Sequence, residues 1–186
     1  MTEEENSVNT GETRTMQNLI QDAGRGNEAA FQEIFEKTTD RVFSYALSRV
    51  HDRDLASDIT QETFIDLWNA LKNFQYKSDE AFLGFVFIIL KRKIYKSYKT
   101  KDMLPLEENM INESYEMDPE DYRFLLKYIG VLKERDQEVL RLRYWSDMTF
   151  KQIASVLGIT ETNAKVLHHR AVKKLQILLE KYEHEI

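Results

Sequence analysis

The chain contains no cysteine, only two prolines and six glycines among its 186 residues, and no long hydrophobic run. Without cysteine, neither a disulfide framework nor a thiolate metal site is possible. Few helix breakers and no alternating Val- and Thr-rich segments favour an all-α fold. The longest apolar run, residues 81–90, is about half the length that crosses a bilayer. The N-terminus is polar and lacks a signal-peptide core, so we expect a cytoplasmic protein.

The apolar pattern divides the chain into two helical units. Apolar side chains recur at helical spacings over residues 14–100 and again over residues 120–186. Residues 101–119 between them are acidic and contain both prolines, as is typical of a flexible linker. We therefore predict two small helical domains joined by an acidic flexible linker, with a disordered tail at residues 1–13. The predicted helix N-caps are Asn27, Asp54, Ser78 and Thr160.

The charges are distributed unevenly along the chain. A formal net charge of −6 argues by itself against a nucleic-acid partner. However, residues 81–101 carry six lysines and arginines and no acid, and residues 102–121 carry eight acids and no base. Residues 162–179 again lack any acid and carry four bases. Two basic segments separated by an acidic connector favour nucleic-acid binding. This uneven distribution outweighs the net charge, which by itself argues against such binding.

Residues 149–174 have the pattern of a helix-turn-helix. Gly158 can turn the chain with a positive φ between two short amphipathic segments, and Thr160 can cap the second helix. A helix with a basic outward face fits the major groove, where lysine and arginine contact phosphates or guanine edges. The predicted outward, DNA-facing side chains of the second helix are Thr162, Lys165, Val166, His169, Arg170 and Lys173.

The segment from Asp54 to Leu71 is predicted to be a helix with an unusually polar outer face. Most such faces are simply solvated, and this remains the ordinary explanation of the pattern. An apolar residue, Ile65, lies within the polar face and favours contact with another protein. At about 100° per residue, the face comprises Asp58, Gln61, Glu62, Ile65, Asp66 and Asn69.

The following segment, residues 82–101, interleaves aromatic side chains with cations. Aromatic rings that stack on unpaired bases, flanked by cations for the phosphates, are typical of single-strand binding. The alternative is that the phenylalanines are core and the lysines only solubilise the helix end. We favour the core for Phe82, Phe85 and Phe87 individually, but not the solubilising role for the cation run. The preceding loop, residues 74–80, could hold a flipped base.

No pattern in the sequence indicates catalysis. His168 and His169 are adjacent and project about 100° apart on a helix, so they cannot chelate one metal ion. The sequence has no phosphate-cradling glycine loop and no nucleophile motif with a local partner. We therefore predict no enzymatic activity, no metal, no cofactor and no small-molecule substrate.

Taken together, these segments resemble the extracytoplasmic-function sigma factors of the bacterial sigma-70 family. Residues 58–64 (DITQETF), with Leu67-Trp68 after them, resemble the family's DLTQETF…LW segment, which docks on the coiled coil of the polymerase β′ subunit. Residues 82–98 match the segment that melts and reads the −10 promoter element. Residues 135–144 resemble the helix that precedes the family's −35-reading helix-turn-helix.

The resemblance implies core RNA polymerase (its β′ and β subunits), promoter DNA and an anti-sigma factor as partners. It implies that polymerase is bound by Asp58, Gln61, Glu62, Ile65 and Asp66. It implies that the −10 element is bound by Phe74, Tyr76, Lys77, Lys91, Arg92, Lys93, Lys96 and Lys99. The −35 element would be read by the outward face of the helix-turn-helix. The implied function is promoter-specific transcription initiation, in a stress or envelope response.

The sequence also departs from the family pattern. The family commonly has asparagine where Arg92 stands and aspartate where Lys96 stands. In the second helix of the helix-turn-helix, Val166 and Leu167 replace a polar and a basic residue, so the promoter sequence cannot be transferred from relatives. Two other hypotheses stay open at this point: a stand-alone helix-turn-helix regulator that binds DNA without polymerase, and a helical adaptor with no DNA role.

Overall fold

The computed structural model describes residues 14–101 and 119–183, which form eight α-helices. The all-α fold with two helical domains is confirmed, and α1–α4 form the first domain and α5–α8 the second. The predicted tail at 1–13 and nearly all of the predicted linker lie outside the described residues. The helices are α1 Met16–Gly24, α2 Glu28–Val50, α3 Arg53–Leu71, α4 Asp79–Lys101, α5 Pro119–Val131, α6 Glu134–Tyr144, α7 Phe150–Leu157 and α8 Glu161–Glu183.

Three of the four predicted N-caps are confirmed, and one is wrong. Asn27, Ser78 and Thr160 each accept a hydrogen bond from the backbone N–H three residues on, at 3.0, 3.2 and 3.2 Å. The cap of α3 is Asp52, whose carboxylate accepts from the Leu55 N–H at 2.9 Å, and not Asp54. The reason is that His51, directly after α2, adopts a left-handed conformation (φ 55°), and Asp52 is then extended, as an N-cap residue must be.

The core of the first domain is formed by apolar side chains of all four helices, with aromatic rings between them. Phe87 is fully buried and packs edge-on against Tyr45, with ring centroids 5.3 Å apart. Phe82 is buried as well, which confirms that these two rings are core rather than base-stacking platforms. Edge-to-face packing of this kind adds to the stabilisation from burial.

The second domain contains the predicted helix-turn-helix. Thr149 and Gln152 form a reciprocal capping box at the start of α7, and Gly158 ends that helix with a φ of 65°. Ala164 and Ala171 of α8 are fully buried, and their small side chains let α8 pack closely on α6 and α7. The turn glycine therefore has the role predicted from the sequence, and Ala164 and Ala171 lie on the side of α8 opposite the predicted outward face.

The two domains pack against each other, mainly through α4 and α7. Gly84 of α4 permits this approach, since a Cβ atom there would lie 2.9 Å from the Ser155 Oγ of α7. Across the same contact, Lys151 forms an ion pair with Glu80 at 2.7 Å. Among the described residues, no helix is both long enough and apolar enough to cross a membrane.

Candidate nucleic-acid and protein interfaces

The outward face of α8 is accessible along its length. All six side chains predicted for this face are exposed, and Val166 is 42% exposed despite being apolar. Lys165 forms an ion pair with Glu161 one turn earlier, at 2.7 Å. Such an exposed i,i+4 pair is weak and can be exchanged for a phosphate contact at little cost. The predicted outward side chains therefore form one exposed surface of α8: Thr162, Lys165, Val166, His169, Arg170 and Lys173.

The two adjacent histidines of α8 have different environments. His169 is exposed, whereas His168 is half-buried and packs edge-on against Phe150, with ring centroids 5.3 Å apart. The His168 Nε2 also lies 3.2 Å from the Tyr144 hydroxyl oxygen. Burial lowers the pKa of His168, and the nearby charges of Arg143 and His169 lower it further. His168 therefore belongs to the packing of the domain, and His169 to its surface.

The polar face of α3 forms one continuous exposed surface. Asp58, Gln61, Glu62, Ile65 and Asp66 are all exposed, and Ile65 has 60% of its surface accessible. A single exposed apolar side chain is common on protein surfaces, and Ile65 is distinguished only by its position in the middle of this polar face. The packing of the helix, with Ile59, Thr63 and Leu67 buried on the opposite side, positions this face toward solvent.

The basic segment of α4 does not form one surface, because its cations point in three directions. Lys91 points toward the second domain, where it forms an ion pair with Glu138. Lys93 points toward α3 and lies 3.2 Å from Glu62 and 2.8 Å from Asp66. Its hydrogen bonds to Asp66 and then Glu62 raise the pKa of Lys93, although burial opposes this. Lys93 thus adjoins the polar face of α3 rather than a DNA-facing surface.

Three further cations of α4 share one exposed stripe. Arg92, Lys96 and Lys99 follow one another at spacings of four and three residues, and all three are exposed. Tyr95 lies on the same stripe, 62% exposed, with the Lys99 Nζ 4.9 Å from its ring centroid. Ile88, 46% exposed, continues the stripe toward the N-terminus of the helix. Tyr95 and Ile88 were missing from the predicted site, although their helical spacing from Arg92 could have identified them.

The loop before α4 is partly anchored to the core. Phe74 is half-buried against Phe82 and Phe85, with ring centroids 5.6 and 4.9 Å apart. The Tyr76 hydroxyl donates a hydrogen bond to Asp79 Oδ1 at 2.8 Å, and Lys77 is exposed. This loop borders an open cavity of about 400 Å³. Polar side chains of α1 line the cavity as well, and so does the end of α3.

Part of the wall of this cavity is formed by backbone atoms of α1 and of the end of α3. A Cβ atom on Gly24 would lie 3.0 Å from the Leu71 carbonyl oxygen, so α1 approaches the end of α3 closely there. The cavity has the size of a small-molecule pocket and is lined by both aromatic and amide side chains. In the described part of the chain, no group of three histidines, aspartates or glutamates could hold a metal ion.

Comparison with known families identifies both domains. The family model for sigma-70 region 2 matches residues 34–103, and that for sigma-70 region 4 matches residues 124–175. The chain is an extracytoplasmic-function sigma factor of the sigma-70 family. As such, it directs RNA polymerase in transcription initiation and is not an enzyme. The presence of region 2 excludes both the stand-alone helix-turn-helix regulator and the helical adaptor.

Curated relatives align with most of this sigma factor. It is 28% identical over 152 residues to the ECF sigma factor SigM of Bacillus subtilis, covering 78% of this chain and 93% of SigM. It is 27% identical over 175 residues to the ECF sigma factor BldN of Streptomyces coelicolor, covering 88% of this chain. The alignment spans 66% of the length of BldN, so that relative is the longer protein.

Two solved structures share the fold. CnrH, solved in complex with the cytosolic domain of CnrY, has a TM-score of 0.66 and 23% identity, with 88% of this chain and 96% of CnrH covered. RpoE of Bartonella quintana, solved with the anti-sigma factor NepR, has a TM-score of 0.62 and 21% identity. That match covers 81% of this chain and 96% of RpoE.

Proposed function

We propose that the polar face of α3 is the surface through which this sigma factor binds core RNA polymerase. The observation that carries this proposal is Ile65, an apolar side chain 60% exposed in the middle of an acidic and amide rim. Burial of such a residue at a protein contact gains hydrophobic stabilisation, and the rim of Asp58, Gln61, Glu62 and Asp66 supplies hydrogen bonds and charge complementarity. The β′ subunit is the proposed partner for this face.

The second surface proposed is the stripe of α4 for the −10 element. Arg92, Lys96 and Lys99 would contact backbone phosphates, and Tyr95 provides an exposed ring on which an unpaired base can stack. The loop with Phe74, Tyr76 and Lys77 would contribute to the same element, and the cavity beside it is the proposed site of a flipped base. Lys93, being paired with Glu62 and Asp66, contributes mainly to the adjoining polymerase face.

The third surface is the outward face of α8, which would enter the major groove of the −35 element. The cations on it fix the helix on the phosphates, and Val166 offers its methyl groups to a base edge. We place the factor in the cytoplasm, where polymerase works. Because structures that share this fold were solved with anti-sigma partners, we also infer regulation by an anti-sigma factor. The inferred role is a stress or envelope response.

Run-off transcription with core polymerase tests the overall proposal, and a pull-down tests the α3 surface. Gln61→Ala combined with Glu62→Ala should weaken retention of core polymerase while leaving helicity and thermal unfolding unchanged. The matched control is Gln32→Ala with Glu36→Ala, which removes the same two groups from an exposed pair on α2. Equal retention of both double variants would refute the α3 surface, because the polar face would then be only solvated.

A further inference from the structure

The contact between α6 and α8 places a tyrosine against a histidine at the surface of the second domain. Tyr144, the last residue of α6, has 62% of its surface exposed. Its ring is tilted by 38° against the His168 imidazole, with ring centroids 5.7 Å apart, and its hydroxyl oxygen lies 3.2 Å from His168 Nε2. Phe150 of α7 packs edge-on against the same imidazole. The imidazole is therefore held by the domain, while the tyrosine stays accessible.

The hydroxyl of Tyr144 has a single proton, so its contact with His168 decides what it can offer to a third group. If the O–H donates to Nε2, the phenol oxygen presents only lone pairs to its surroundings. If Nε2 carries a proton and donates to the phenol oxygen, the O–H is free to donate outward. A protonated imidazole carries protons on both nitrogens and permits only the second arrangement. His168 thus sets whether Tyr144 can donate to an anion.

The charges around this pair favour an anion. Arg143 lies over the Phe150 ring, with its guanidinium 5.5 Å from the ring centroid, and α7 presents to the imidazole only this uncharged ring. Burial lowers the pKa of His168 most, and the charges of Arg143 and His169 lower it further. An anion beside Tyr144 would act in the opposite direction, because a negative charge stabilises the imidazolium. The titratable and charged groups near the imidazole on α6 and α8 are Arg143, Tyr144, His169 and Lys165 with its partner Glu161.

The pair lies on the flank of the surface proposed for the −35 element. At about 100° per residue, His168 is displaced by about 60° around α8 from Lys165, toward the buried Ala164. A helix with its side chains is about 10–12 Å across and the major groove is about 12 Å wide, so both flanks of a bound helix face phosphates. In helix-turn-helix proteins the first helix crosses the backbone, and Phe150 begins that helix here. With α8 in the groove, Tyr144 is therefore beside the path of the phosphates.

We propose that the Tyr144 hydroxyl donates a hydrogen bond to a backbone phosphate of the −35 element, and that His168 is the positioning residue that orients this hydroxyl. The inference rests on the function proposed above for α8. Phosphate is the favoured acceptor because the hydroxyl lies at the flank of α8, beside cations, and not on the face toward the base edges. The contact fixes the helix on the duplex and carries no sequence information by itself. It also couples promoter binding to the protonation of His168.

This coupling has a signature in the pH dependence of promoter binding. In the free factor the pKa of His168 lies below its ordinary value of 6.5, and a phosphate beside Tyr144 raises it, so binding takes up a proton. Promoter affinity should therefore rise several-fold as the pH falls through the pKa of the bound state, and level off below that of the free state. Because the exposed His169 would titrate in the same range, the His169→Gln chain is the reference. Titration of labelled promoter with holoenzyme between pH 8 and pH 6 measures the effect.

Substitutions of the pair separate positioning from packing. In the reference chain, Tyr144→Phe keeps the ring and should reduce promoter affinity several-fold at pH 8, the loss of one hydrogen bond. The slope of log affinity against log salt should stay unchanged, because a neutral hydroxyl releases no counterion. His168→Gln offers an amide N–H close to the place of Nε2 and does not titrate. It should therefore bind without a rise at low pH, yet more tightly than His168→Leu, which offers no donor.

The acceptor can be located with modified DNA. Promoters in which one phosphate at a time is replaced by a neutral methylphosphonate should contain one position near the −35 element at which Tyr144→Phe causes no further loss. Tyr128→Phe, the same change on α5, is the control and should bind every promoter as the reference chain does. If Tyr144→Phe also binds every promoter like the reference, or if it weakens retention of core polymerase instead, the proposal is overturned.

Failure of this contact is distinguishable from failure of the function proposed for α8. If Lys165→Gln with Lys173→Gln leaves promoter affinity unchanged, α8 does not bind the −35 element, and the Tyr144 contact is wrong with it. If that double variant loses affinity while Tyr144→Phe does not, only the hydroxyl contact is refuted. A rise at low pH that persists in His168→Gln would show that another group takes up the proton, which refutes the role of His168.

Discussion

Two helices are proposed to contact DNA, α4 and α8. The sequence pattern correctly predicted which side chains are exposed in α8, but not in α4. In α8 every side chain predicted to face outward does so. In α4 the run of cations is divided between the second domain, α3 and one exposed stripe. The difference arises because α8 contacts only helices of its own domain, α5, α6 and α7, whereas α4 contacts α2 and α3 of its own domain and also α7 of the other. An amphipathic pattern predicts exposure well only for a helix with a single packed side.

The largest loss of promoter affinity is expected from substitutions in α8. Lys165→Gln together with Lys173→Gln should reduce holoenzyme affinity for a −35-containing promoter by at least about tenfold at physiological salt, because two phosphate contacts are lost. The salt slope should fall by about 1.8. Titration of labelled promoter at several salt concentrations measures both quantities. Lys181→Gln, near the end of α8, is the control, and a similar loss in that variant would show that only general charge matters.

A smaller effect should separate neighbouring cations of α4. Arg92→Gln is expected to reduce opening of the −10 element several-fold, while Lys93→Gln should leave opening largely intact and instead weaken polymerase retention, since Lys93 orients Glu62 and Asp66. Permanganate reactivity of unpaired thymines measures opening, and a pull-down measures retention. Identical profiles for the two variants would mean that the basic segment acts as one surface after all.

A third experiment examines the side of α4 that packs against α7. Gly84→Ala should strengthen the helix by about 0.5–1 kcal/mol, as for any glycine replaced in a helix interior. The added Cβ would meet Ser155, so the same change should loosen the contact between the domains. Domain separation, measured by energy transfer between dyes attached to the two domains, should increase in Gly84→Ala and return toward the wild-type value when Ser155→Ala is added. Loosening that persists in the double variant would place its cause elsewhere.

The smallest effect is expected from a change of pH on the contact between the two domains. The pKa of Glu138 is lowered while the domains are in contact, so its stabilising contribution is fully present above the ordinary value of 4.5 and is lost only as the pH falls through the lowered value. Between pH 8 and pH 6 Glu138 keeps its charge, so any opening in that range must come from another group, such as His51, whose pKa is lowered by burial and by the charges of Arg141 and Arg49. A marked opening within that range, measured by energy transfer, would show that another titrating group controls the contact.

Local chemistry explains what could be predicted from the sequence. Gly158, Thr160 and the buried alanines of α8 follow from turn geometry, capping and spacing, which involve only residues close in the chain. The exposure of Ile65 also followed from spacing alone. The cap of α3 was placed at Asp54 instead of Asp52, because two aspartates precede the apolar run and only the left-handed end of α2 at His51 selects between them.

Long-range contacts account for what was missed. The sequence of α6 marks Glu138 only as one acid in a charged helix, and nothing near it in the chain indicates that its partners are Tyr45, Arg49 and Lys91. Those partners lie 93, 89 and 47 residues away, the last being the difference between positions 138 and 91. For Tyr95, by contrast, its helical spacing from Arg92 is enough to place it on the exposed stripe of α4.

The sequence by itself determined the sigma-70 family, the two helical domains and the outward faces of α3 and α8, because each depends on local motifs and on helical periodicity. Only the tertiary structure decided which cations of α4 face solvent and that a carboxylate of region 4 is buried against cations of region 2. The physical reason is that desolvation couples charges by their distance in space, not in the chain: once Glu138 is buried, it must find cations wherever the packing of the domains places them.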